Sequence, residues 1–109
     1  MRKVVYIILS FLILGSSAHS MQKPRDDDSP RITIRNSQFS PSTLNVNRGD
    51  TVVWRNDDDR DHSVRSADDE FSSGTIKPKS AYRHTFKKAG RYPYGCRLHP
   101  RMKGMVIVK

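Results

Sequence analysis

A thiol, two imidazoles and a thioether stand in this chain where they can share one ion. Cys96, His99 and Met102 fall in the short stretch Tyr94-Gly95-Cys96-Arg97-Leu98-His99-Pro100-Arg101-Met102-Lys103-Gly104, and His62 lies far back in the sequence. Together they form a soft ligand set. A trigonal His₂Cys group with a weak axial Met is the arrangement that holds copper in blue electron-transfer centres. Cys96 and His99 are separated by two residues across a loop that closes a strand end, so both side chains can turn toward one point. A site joining that loop to a distant strand is formed by the fold rather than by the ion. A rigid cage of this kind keeps rearrangement between Cu(I) and Cu(II) small. Met105 competes with Met102 for the thioether role. Four protein donors leave no open coordination position, which argues against an enzyme, because catalytic metal sites keep a vacancy.

The elements that must bring these residues together are short strands. Arg31–Arg35 alternates, with Ile32 and Ile34 on one face. Phe39-Ser40-Pro41 is expected to bend the chain, and Thr43–Val46 to form a second strand. Asn47-Arg48-Gly49-Asp50 reads as a turn into a third strand, Thr51–Arg55. The charged loop Asn56–Arg60 delivers the chain to His62, after which His62–Ser66 is extended again. A longer loop, Asp68–Pro78, carries Phe71 and Gly74. Ala81–Phe86 then alternates, with Tyr82, His84 and Phe86 sharing a face; Arg91–Cys96 places Tyr92, Tyr94 and Cys96 on one face; Lys103–Lys109 closes the series. Period-2 patterning with frequent turns predicts an all-β domain, a sandwich or small barrel of seven or eight strands. Pro93 limits the strand ending at Cys96, since it cannot donate a ladder hydrogen bond.

The first residues carry a different message. Met1-Arg2-Lys3 is cationic, Val4–Leu14 is an almost unbroken apolar run, and Gly15–Ser20 is small-residue-rich, with Ala18 and Ser20 suited to cleavage before Met21. This is the pattern of a secretory signal, too short to span a bilayer as a stable helix. The chain therefore divides into a signal peptide (1–20), a polar Pro-containing lead-in (21–30) and one domain (31–109), with a periplasmic or secreted location. An oxidising compartment favours paired cysteines, yet Cys96 is the single cysteine of the chain; coordination to a metal would explain and protect it. Removing 20 residues from 109 leaves 89, and loss of Arg2 and Lys3 lowers the formal charge from +9 to +7. That charge suits an acidic partner surface. It does not indicate nucleic acid: acidic residues are interleaved with the basic ones, and Tyr82, Phe86, Tyr92 and Tyr94 alternate as core residues instead of lining a basic face.

The sequence resembles the cupredoxin family, in its plastocyanin and amicyanin group, from about Ile32 to Val108. The resemblance rests on Gly49-Asp50-Thr51-Val52-Val53-Trp54, Asp61-His62-Ser63-Val64, Phe71-Ser72-Ser73-Gly74, Thr85-Phe86-x₃-Gly90-x-Tyr92-Pro93-Tyr94-x-Cys96 and His99-Pro100-x-Met102-x-Gly104-x-Val106-x-Val108. The spacing Cys-x₂-His-x₂-Met is the short form of the family's ligand loop. The resemblance implies a Greek-key β-sandwich, one type 1 copper ion, His62 and His99 as imidazole ligands, Cys96 as thiolate and Met102 as axial thioether. It places Met105 on the last strand facing outward with Ile107, while Val106 and Val108 fill the core. It makes His84 a structural strand histidine, hydrogen-bonded in place. It implies a monomeric one-electron carrier between redox proteins, with copper storage or delivery as the alternative. The chain departs from the family's usual pattern at Ser63, where Asn is common, and at Arg97 and Leu98, between the Cys and His ligands. Leu98 and Pro100 beside His99 form a candidate docking patch, ringed by Arg97, Arg101 and Lys103.

Processing of the exported chain is expected between Ser20 and Met21. Intact-mass analysis of protein recovered from the exported fraction should give a chain that begins Met-Gln-Lys-Pro; retention of residues 1–20 would contradict the signal assignment.

Overall fold

Alternation of buried and exposed side chains turns these short segments into two facing sheets. A computed structural model describes residues 28–109; the signal segment (1–20) and most of the lead-in lie outside the described residues. Eight strands are present: β1 (Arg31–Arg35), β2 (Gln38–Ser40), β3 (Thr43–Val46), β4 (Thr51–Asn56), β5 (Arg65–Ser66), β6 (Ala81–Thr85), β7 (Gly90–Cys96) and β8 (His99–Val108). They form two four-stranded sheets, ordered β2-β1-β4-β6 and β3-β8-β7-β5. Parallel pairs β1·β4 and β3·β8 are joined to antiparallel neighbours, so strands distant in sequence lie side by side. This is the expected Greek-key β-sandwich.

The core is the set of inward residues of both sheets: Ile32 and Ile34 from β1, Val52 and Trp54 from β4, Tyr94 and Cys96 from β7, Val106 and Val108 from β8. Trp54 is fully buried and meets Tyr94 edge-on at 5.4 Å between ring centroids, with Tyr82 and Phe86 also against it. The indole thus couples one sheet to the other. Met105 and Ile107 are only half-buried on β8, while Val106 and Val108 are buried, as the alternation of the last strand requires.

Two local features differ from the sequence reading. The chain reverses after β1 at Asn36-Ser37, a turn the sequence reading did not place, and the bend expected at Phe39–Pro41 follows β2, at residues 41–42, where the chain crosses to the other sheet. Asn36 and Ser37 have positive φ (53° and 55°), which is the backbone of the type I′ turn favoured in two-residue hairpins. Asn tolerates that conformation; nothing in the short run Asn36-Ser37 without a glycine signals it. Residues 38–40 then form β2 antiparallel to β1 and bury Phe39. The last strand also begins earlier than Lys103. β7 and β8 pair from Gly90↔Val108 to Gly95↔Lys103, then slip to Cys96↔His99. The turn at the metal end is therefore only Arg97-Leu98, and Pro100–Met102 bulges out of the ladder.

Tyr94 is directly opposite Gly104, and a Cβ at position 104 would run into the Tyr94 ring. The tyrosine lies over the glycine because nothing else fits beneath it. Gly104→Ala is expected to destabilise the fold by about 1–3 kcal/mol, the usual cost of overpacking. A lower urea midpoint with an unchanged denaturant slope would register it.

Candidate metal centre

The site is assembled from two places. The β7–β8 end supplies Cys96 and His99 from the last pair of the hairpin, and the segment before β5 supplies His62. His62 is fixed to Ile76 by reciprocal backbone bonds, its N–H donating to the Ile76 carbonyl (3.1 Å) and its carbonyl accepting the Ile76 N–H (2.7 Å). The His62 side chain is completely buried, Cys96 is 5% exposed, and His99 is half-buried.

The donor atoms of His62, Cys96 and His99 all lie within 4.8 Å of one another. Cys96 Sγ is 3.9 Å from His62 Nδ1 and 3.7 Å from His99 Nδ1. A metal–sulfur bond of about 2.3 Å and a metal–nitrogen bond of about 2.0 Å, opened to a trigonal angle, place sulfur and nitrogen about 3.7 Å apart. The two sulfur–nitrogen separations are close to that distance. Met102 is 4% exposed and belongs to the same buried cluster as Cys96. The bulge at Pro100–Met102 turns it inward at the strand end. Three of the four residues singled out in the sequence thus converge on one point, and Met102 is buried beside them in chain order.

The sulfur is polarised by its surroundings. Ser63 N–H donates to Cys96 Sγ at 3.3 Å, and the Ser63 hydroxyl lies 3.7 Å from the same atom. The hydroxyl oxygen also accepts the Arg97 N–H at 3.0 Å. Ser63 therefore ties the His62 segment to the Cys96–His99 turn. Hydrogen bonding to a copper-bound sulfur is one of the levers on redox potential.

Sequence reasoning missed the other half of the support. Asp58 Oδ2 is 2.8 Å from His62 Nε2, and the same oxygen accepts the Ser37 N–H at 2.9 Å. These bonds, with that to His62 first in weight, hold the Asp58 carboxyl down at about 2. Asn56, fully buried, organises the loop: its Nδ2 donates to the carbonyls of Arg60 (2.8 Å) and Ile76 (2.9 Å), and its Oδ1 accepts the Asp58 N–H (2.9 Å). Neighbouring Asp57 faces outward to Arg35 and Arg55. In sequence, Asp57, Asp58 and Asp59 are alike; only the fold separates them. The one clue was the spacing of Asp58 to His62.

A match to a family model described as a cupredoxin-like domain covers residues 4–108. The chain belongs to the cupredoxin family. Among curated relatives, amicyanin of Paracoccus denitrificans is 32% identical over 83 residues, which is 72% of this chain and 63% of that protein. Plastocyanin of Scenedesmus fuscus is 31% identical over 84 residues, 65% of this chain and 86% of its own length. The matches span 63% and 66% of the two amicyanins first among these relatives. Among solved structures, a purple cupredoxin from Nitrosopumilus maritimus superposes with a TM-score of 0.71 at 29% identity, covering 74% of this chain and all of that one. A reduced Cu(I) form of an amicyanin variant superposes at 0.73 with 31% identity, covering 78% of this chain and 86% of that one. The donor set of this cupredoxin suits copper on its own chemistry: a buried thiol and imidazoles match the ion's preference, and a thioether follows.

His84 lies apart from the centre. Its ring stacks on Phe71 at 4.6 Å and meets Phe86 edge-on at 4.7 Å. The family position is structural here too, held by aromatic contact. Burial pushes the His84 imidazole below its ordinary value near 6.5, against the pull of the Glu70 carboxylate. The unfolded chain then takes up a proton more readily than the folded one. Stability from this residue is complete above about pH 6.5 and is lost as pH falls through the lower folded value. Replacing it by glutamine, which does not titrate, should flatten the decline of unfolding free energy on acidification below that pH; an identical slope in the two proteins would contradict this.

Proposed function

We propose that this cupredoxin is an exported type 1 copper protein that carries single electrons between redox partners. His62 and His99 would hold the ion through their imidazoles, Cys96 through its thiolate and Met102 through its thioether. The observation that carries the reading is the meeting of one sulfur and two nitrogens within 4.8 Å of one another, with both nitrogens 3.7–3.9 Å from the sulfur, in a pocket built by the fold. Bound copper would supply the Cu(II)/Cu(I) couple. The protein's part is to hold the ligands still, so that little has to move when the charge changes, and to keep water from the buried side.

Electrons would enter and leave through His99, the one residue of the four that is not fully buried. Leu98 beside it is 57% exposed and is the single large hydrophobic side chain among the described residues to be so exposed. With Pro100 it offers a small apolar patch, and the exposed Arg97, Arg101 and Lys103 surround that patch with positive charge. A positive rim steers encounter with an acidic redox protein and makes its rate salt-dependent. We assign the working form as a monomer in the periplasm or secreted, with residues 1–20 as signal, 21–30 as lead-in and 31–109 as the copper domain. The four-ligand set supports a carrier over an enzyme, since it leaves no position for substrate. Among the described residues no aromatic side chain is fully exposed to serve as a stacking platform for nucleic acid.

Addition of Cu(II) to the purified mature protein should produce an intense blue charge-transfer band, and Cys96→Ser should abolish it while leaving the fold intact by circular dichroism. A colourless wild-type product overturns the copper reading.

A further inference from the structure

We propose that Asp58 is a positioning residue of the copper centre: its carboxylate claims the Nε2 proton of His62, fixes the ring with Nδ1 toward Cys96, and draws the reduction potential down. The inference rests on the copper reading above and adds a residue to it. The geometry is specific. Asp58 Oδ2 and His62 Nε2 are 2.8 Å apart, on the side of the ring opposite the 3.9 Å approach of Nδ1 to Cys96 Sγ. The imidazole is completely buried and the carboxylate is 12% exposed, so water competes little for either.

A neutral imidazole carries one N–H. A carboxylate at Nε2 accepts that proton, and the lone pair is left on Nδ1, where the metal would be. The ring's orientation is then set by its partner, and its basicity as a ligand rises. The clamp is itself held. The type I′ turn at Asn36-Ser37 aims the Ser37 N–H at the same carboxylate oxygen, and Asn56 fixes the Asp58 backbone from below. No other carboxylate of the acidic loop is so placed: Asp57 is paired with Arg35 and Arg55, and Asp59 lies on the surface near Arg60. A negative charge one ring away from the ion favours the more positive oxidised state. It acts against the Ser63 N–H, which stabilises electron density on sulfur in the opposite sense.

The test uses the full mature chain, wild type and Asp58→Asn, which keeps the shape and the acceptor but loses the charge. Loaded with copper, Asp58→Asn should stay blue, and its equilibrium constant for reduction against a fixed mediator should rise about tenfold, which is 59 mV for one electron. A blue variant whose reduction equilibrium is unchanged within twofold overturns the proposal. The second readout needs no copper: ¹⁵N-resolved NMR of the apoprotein should find His62 as the Nε2–H tautomer in wild type, and Asp58→Ala should disturb it. An Nδ1–H tautomer in the wild type overturns the proposal even if a variant fails to fold or load. A colourless wild type that nevertheless shows the Nε2–H tautomer rejects the copper reading and leaves the clamp standing, so the two failures are distinguished.

Discussion

The buried sulfur of Cys96 can face two imidazoles only because the β7–β8 ladder slips at its tip. Up to Gly95↔Lys103 the two strands pair evenly; one step later Cys96 pairs with His99, three residues nearer in sequence than an even ladder allows. An unbroken ladder would keep Met102 in the row of cross-strand pairs and carry His99 beyond the end of β7. The slip brings His99 next to Cys96 and pushes Pro100–Met102 into a bulge with Met102 turned inward. Every other contact at this end follows from it. Ser63 can reach both Cys96 and the Arg97 amide, and His62 has a sulfur to face.

Electrostatics then divides the molecule into an inside and an outside. Within, two groups act on the centre with opposite sign: amide and hydroxyl donors of Ser63 on the sulfur, and the Asp58 carboxylate on the far nitrogen of His62. Both are in surroundings that exclude most water, where such interactions are strong. Outside, Arg97, Arg101 and Lys103 are exposed, so salt screens their charge. The same positively charged chain thus keeps one of its carboxylates where its charge has the most effect.

Much of this was legible in the sequence. β1 and β3 have the bounds that alternation suggests, because each buries one face and exposes the other. The residues that meet at this end of the sandwich were legible because His, Cys and Met are rare and their spacing is tight. Less visible was anything that depends on which of several like residues points inward. Asp58 cannot be told from Asp57 and Asp59 without knowing how Asn56 folds the loop. The hairpin turn at Asn36-Ser37 lacks the glycine that marks such turns, whereas the bend after β2 was legible from Pro41. The expectation for His84 was right in excluding it from the site, but its anchor is the Phe71 ring.

The two-residue tip Arg97-Leu98 stands outside the strand ladder and its side chains contribute nothing to the buried cluster. Its backbone is anchored through the Arg97 amide, while its side chains are free to be exchanged. Exchanging Arg97 or Leu98 therefore reshapes the surface beside His99 and leaves the packed interior of the sandwich as it is.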